Sequence, residues 1–135
     1  MADTFELEIA TPEKLVIREQ VTEAQIPAEG GMIGVLPDHA PLISELGIGE
    51  LTYVVGGAKS SLVISKGWVE VLHNHVRVLA DRAEKANEID VARAQASLKR
   101  AEDRLSKAAA GGVDIARALN AMKRAQARIA ATGVR

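Results

Sequence analysis

Two arginine-bearing stretches could do the most specific chemistry in this chain. Arg93, Ser97, Arg100 and Arg104 recur at helical spacing and so share one face, and Arg117, Arg124 and Arg128, seven and four apart, do the same further on. If the stretches fold back on each other about Gly111-Gly112, a residue about 18 before the turn faces one about 18 after it. Arg93 then lands near Arg128 at the open end, with Arg124 and Arg100 about a turn or two along. Guanidinium groups brought together repel unless an anion joins them, and arginine's planar fork suits phosphate oxygens. On spacing alone a solvated face laced with intrahelical acid–arginine pairs stays open as well. A nucleic-acid-binding helix is weakened by the lack of any aromatic beyond Trp68 for stacking and by an acidic first part.

Catalytic and metal chemistry find less support. His73 and His75 could share a strand face as metal ligands with His39 as a third, but zinc wants a fuller set and Asn74 reads as a turn. A solvated hairpin corner is the better reading, so no metal site is assigned. Asp38-His39 looks like part of a dyad without any recognisable nucleophile elbow. There is no GxxxxGK[ST], GxGxxG or HExxH motif, and with no cysteine there is no thiol nucleophile and no disulfide framework. An enzyme is therefore not expected; a His39-dependent activity is the remote alternative.

The elements that must position these side chains fall into two parts. The formal charge of −1 over 135 residues divides unevenly. Residues 1–80 hold 5 basic and 11 acidic residues, and residues 81–135 hold 12 basic and 7 acidic. All three aromatics and all four prolines lie in the first part, whereas 16 of the last 55 residues are alanine. Phe5, Leu7 and Ile9 alternate with polar neighbours as in a half-buried strand. Further short runs (21–26, 51–55, 62–65, 68–72 and 76–79) alternate with glycine or asparagine turns. This spacing predicts an antiparallel β-sandwich or flattened barrel.

From Asn87 the period changes. Val91, Ala94, Leu98, Ala101, Leu105 and Ala108 form one helical seam, and Ile115, Ala118, Met122, Ala125, Ile129 and Thr132 a second. Asn87 is the expected cap of the first helix and Asp114 or Gly112 that of the second, with Gly111-Gly112 ending the first. A short glycine turn between similar helices implies an antiparallel hairpin. An alanine seam buries little area, so the hairpin should lean on the sandwich, a partner or a ligand. No apolar run approaches the roughly 20 residues a membrane span needs, and the acidic start argues against a signal or transit peptide.

Three segments together resemble the ε subunit of bacterial F-type ATP synthase, the family that includes the mitochondrial δ subunit. They are IPAEGGMIGVLPDHAPLISELGIGEL at 26–51, SKGWVEVLHNHVRVLADRAE at 65–84 and IDVARA at 89–94, in the family's order and over nearly the whole chain. The resemblance implies an N-terminal β-sandwich of about ten antiparallel strands (1–84) and a C-terminal two-helix hairpin (85–135). It implies a non-catalytic central-stalk subunit on the cytoplasmic side of the energy-coupling membrane, without membrane insertion. The sandwich would bind the γ subunit and the c-ring through Glu29, Gly30, Gly31 and Met32, with His39 an interface or framework residue. The hairpin would inhibit ATP hydrolysis when extended toward the catalytic α and β subunits. Regulatory ATP would favour the folded hairpin, with Mg²⁺ dependence open. Its contacts by motif position would be Glu84, Ile89, Asp90, Arg93, Ala94, Arg100, Arg124 and Arg128. A stand-alone nucleotide sensor is the alternative.

Overall fold

The computed structural model describes residues 3–108 and 111–133. Eight strands precede the helices: β1 (Phe5–Ala10), β2 (Leu15–Val21), β3 (Glu23–Ala28), β4 (Gly31–Val35), β5 (Leu42–Glu45), β6 (Ile48–Val55), β7 (Ala58–Leu72) and β8 (His75–Lys85). The sheet runs β2-β1-β8-β7-β6-β3-β4, with β5 also paired to β7.

β7 and β8 are long enough to serve both layers of the sandwich. The first half of β7 pairs with β6 and its second half with β5, while β8 accompanies it on the other side throughout. β1 joins β8 only along Glu6–Ala10 against His75–Leu79. One layer is thus β2, β1, the start of β8, the end of β7, and β5. The other is the end of β8, the start of β7, β6, β3 and β4.

The corner lies at Lys66-Gly67, where both residues have left-handed backbone (φ 63° and 118°). Leu62 and Ile64 point inward before it and Val69 and Val71 after it, so the bend shifts the inward-facing set by one residue. A side chain at Gly67 would drive its Cβ into the Leu79 carbonyl oxygen, which explains why glycine stands there. The expected runs at 62–65 and 68–72 are this one bent strand. Eight strands replace the expected ten because β7 and β8 each count in two layers. The sheet is mixed, since β1 and β8 run parallel; the intervening chain is long enough for such a crossover. The run expected at 21–26 is broken at Thr22, between β2 and β3.

Phe5, Leu7, Ile9, Val21, Ile26, Leu46, Leu51, Leu62, Ile64, Val69, Val71, Val76 and Val78 fill the space between the layers. Outside, Glu8 is buried and bridges three strands: Arg18 on β2 donates to Oε1 at 2.6 and 3.0 Å, and Arg77 on β8 to Oε2 at 3.2 Å. These bonds hold its carboxyl below the usual carboxylate range, with the Arg18 bond the largest cause and burial opposing it.

A short 3₁₀ turn (Ala86–Glu88) leads to α1 (Val91–Ser106), and α2 spans Ile115–Thr132. Asp90, rather than Asn87, caps α1 by accepting from the Arg93 N–H. Asn87 lies inside the 3₁₀ turn and cannot serve. Asp114 caps α2 in the same way, accepting from the Arg117 N–H. α1 ends at Ser106, before Gly111-Gly112, so Ala108 of the expected seam lies beyond the helix. Ala94 and Ala101 on α1, and Ala118 and Ala125 on α2, are the buried helix residues among those described. α1 and α2 pack on each other, and the burial of alanines on both marks the close approach that small side chains permit.

α2, not α1, lies on the sandwich, over β6 and β7. Val63 and Ser65 point away from the core yet are buried. The helix covers them. Burying one valine contributes about 1.5–3 kcal/mol, so the hairpin leans on the sandwich through a modest footprint.

Candidate functional site: an arginine-lined cleft between the sandwich and the hairpin

Three pieces of chain meet where β8 gives way to the helices. β8 supplies Arg82 and Glu84, two apart and therefore on one face. The 3₁₀ turn and the cap bring Glu88, Ile89 and Asp90; the first turns of α1 bring Arg93, Ala94, Ser97 and Arg100. Arg128 closes the cleft from α2. The enclosed volume is about 400 Å³ and opens to solvent.

The charges within it are only partly matched. Arg128 donates to Glu84 Oε1 from Nε at 2.8 Å and reaches it from Nη2 at 2.6 Å. Asp90 is engaged in capping, and Arg100 donates to the Ser97 hydroxyl at 2.9 Å. Among the described residues Arg82, Arg93, Arg100 and Arg124 form no salt bridge. Half-buried Arg124 sits a turn before Arg128, outside the cleft lining. Its pKa is lowered, first by burial and then by repulsion from Arg82, Arg128 and Arg117. Cationic forks converging without carboxylate partners suit a polyanion such as a phosphate chain.

Of the residues singled out for a nucleotide, Glu84, Ile89, Asp90, Arg93, Ala94, Arg100 and Arg128 therefore line one cleft, and Arg124 stands beside it. Arg82 was missed by sequence reasoning. It lies on a strand, so no helical spacing connects it to the others.

The residues singled out for a partner surface occupy the two ends of β4. Glu29 and Gly30 form the β3–β4 turn and Gly31 and Met32 begin β4, all exposed, with Glu29 Oε2 4.0 Å from Lys66 Nζ. His39 lies in the loop after β4, its Nδ1 2.6 Å from the Ala40 carbonyl oxygen. Asp38 does not orient His39: its side chain accepts from Asn74, at the β7–β8 turn. β4 is an edge strand, with exposed Met32 on it and exposed Leu36 just after it. A second apolar patch covers the outer face of the β5–β7–β8 layer, where Trp68 and Leu79 are cross-strand partners and Ile43 and Leu72 flank them, all exposed. His75 opens β8 with Nε2 3.7 Å from Glu6 Oε2. His73 and Asn74 form the hairpin corner, so the two histidines do not share one strand face.

The ATP synthase delta/epsilon β-sandwich domain profile matches residues 4–86, and the long α-helix domain profile of the same family matches 87–133. The chain belongs to the ATP synthase delta/epsilon family. The ATP synthase epsilon chain of Solibacter usitatus is 58% identical over 111 residues, covering 82% of this chain and 83% of that relative. That of Koribacter versatilis is 53% identical over 105 residues, covering 78% and 74%. In a cryo-EM structure of the Euglena gracilis mitochondrial ATP synthase (OSCP, F1 and c-ring), a chain with 25% identity superposes with a TM-score of 0.84, covering 97% of this chain and 82% of that one. A chain of the Tetrahymena thermophila mitochondrial ATP synthase central stalk and c-ring shares the fold at 15% identity and a TM-score of 0.61, covering 94% and 95%. Within this family the chain is an epsilon subunit of F-type ATP synthase, and none of its helices, among the described residues, is long and apolar enough to cross a membrane.

Proposed function

We propose that this epsilon subunit is a non-catalytic rotor part that links the γ subunit to the c-ring and carries a nucleotide-responsive brake. The observation that supports the brake most strongly is the cleft. Its walls come from β8, α1 and α2 at once, so a bound polyphosphate would hold the docked arrangement together. ATP is the ligand of choice: its phosphates meet Arg93, Arg100 and Arg128, with Arg124 alongside. Ile89, Ala94 and the carboxylates of Glu84 and Asp90 are left for the base and ribose. A ligand that prefers the docked hairpin shifts the population by its differential affinity and no further.

The undocked hairpin is the inhibitory form in this reading. Residues 81–135 carry 12 basic and 7 acidic side chains, a charge suited to acidic surfaces of the α and β subunits and weakened by salt. The Trp68–Leu79 patch supports a γ interface, and the β4 edge with the Glu29–Met32 turn and the His39 loop supports a c-ring footing. The subunit then sits peripherally on the cytoplasmic side of the membrane as part of the complex. Titration calorimetry of the isolated chain with ATP and Mg²⁺ tests the ligand. Arg93→Ala and Arg128→Ala should each weaken binding, and unchanged binding in both removes the assignment.

A further inference from the structure

Arg82 enters the cleft from the sandwich and no resemblance assigns it a role. On β8 it stands two residues before Glu84, on the same outer face, exposed at the cleft that Arg128 of α2 closes. Its cross-strand neighbour is buried Ser65, as that of Glu84 is buried Val63. On α2, Arg124 precedes Arg128 by four residues, roughly 6 Å of helix rise. That nearly equals the roughly 6.6 Å between alternate residues of a strand. α2 lies over β6 and β7 and reaches β8 beside them through its arginines, so the matched spacings set up two rungs between helix and strand. Glu84 and Arg128 make the first, an ion pair at 2.6 Å. Arg82 and Arg124 make the second, and it joins like charges. Arg82 is the largest charged contributor to the lowered Arg124 pKa, after burial, which supports their proximity. Neither has a carboxylate partner among the described residues.

We propose that Arg82 is the sandwich half of an anion-responsive latch: a phosphate group held between Arg82 and Arg124 turns a repulsive rung into an attractive one and ties α2 to β8. Empty, the rung pushes the helix off the sheet, against the Glu84–Arg128 pair and the packing on Val63. Filled, both rungs pull the same way. The proposal rests on the cleft being an anion site, and it adds a direct link from ligand to sandwich that arginines on the helices alone do not provide. Terminal phosphates of ATP and inorganic pyrophosphate share the required chemistry.

Hydrogen exchange of α2 in the full chain, at constant ionic strength, tests the latch. Wild type, Arg82→Gln and Arg93→Ala are compared without anion, with sodium pyrophosphate and with ATP–Mg²⁺. Without anion, Arg82→Gln should slow exchange of α2 by roughly twofold, because a like-charge contact is removed. With anion, wild-type α2 should gain protection, and Arg82→Gln should lose roughly tenfold of that gain. Equal anion-induced protection in wild type and Arg82→Gln overturns the latch. If Arg93→Ala nevertheless loses binding, the cleft reading survives that result. Protection by pyrophosphate but not by ATP supports the latch and overturns the nucleotide assignment. Protection by neither overturns both.

Discussion

Arg128 of α2 places Nε and Nη2 on a single carboxylate oxygen of Glu84, at 2.8 and 2.6 Å, and so joins the second helix to the last strand of the sandwich. Both side chains are half-buried, which limits screening by solvent. Glu84→Gln should weaken docking by about 1 kcal/mol without unfolding the sandwich. Hydrogen exchange should show faster opening of α2 and unchanged protection of β1 and β7. Unchanged exchange in α2 would mean that Val63 and the alanine seam hold the hairpin unaided.

Gly67→Ala should be far more damaging. The added Cβ would meet the Leu79 carbonyl oxygen, and the left-handed backbone at φ 118° disfavours any side chain. A loss of about 3 kcal/mol or more in urea unfolding is expected, because the corner is shared by both layers. A loss well below 1 kcal/mol would show that the bend can relax.

Glu8 predicts a pH dependence of the sandwich. Its folded-state pKa is depressed by Arg18 and Arg77, so it contributes stability above its unfolded pKa and loses it as pH falls through the folded value. Wild type should melt above Glu8→Gln at pH 7. The difference should shrink below about pH 4 and vanish in stronger acid. A difference that persists unchanged into acid would place its origin in packing.

Deleting residues 88–135 should leave the sandwich able to join the complex and should raise the ATPase activity of the assembled enzyme. The core between the layers does not use the helices. The deletion does expose Val63 and Ser65, so a small fall in sandwich stability is expected alongside. Unaltered ATPase activity in a complex shown to contain the truncated chain would remove the brake from the account.

The sequence made the two-part organisation legible because the hydrophobic period changes from 2 at Phe5–Ile9 to a helical repeat at Val91–Leu105. The buried alanines are those of the seams, and the antiparallel arithmetic placed Arg93 and Arg128 at one cleft. The strand count was harder to read. The left-handed pair Lys66-Gly67 looked like a turn between strands, whereas it bends one strand through a corner. The parallel β1–β8 pairing depends on distant segments and leaves no local trace. Asp90 displaced Asn87 as the cap because the 3₁₀ turn uses up residues 86–88. Arg82 stayed hidden because its relation to Arg124 exists only once α2 docks on the sheet beside β8.

The central claim is that a nucleotide in this cleft stabilises the docked hairpin. Hydrogen exchange of the full chain with and without ATP–Mg²⁺ measures that directly. The account predicts that amides of α1 and α2 become more protected with ATP while those of β1 and β7 do not change. Helices that exchange at the same rate with saturating ATP and without it would contradict the account.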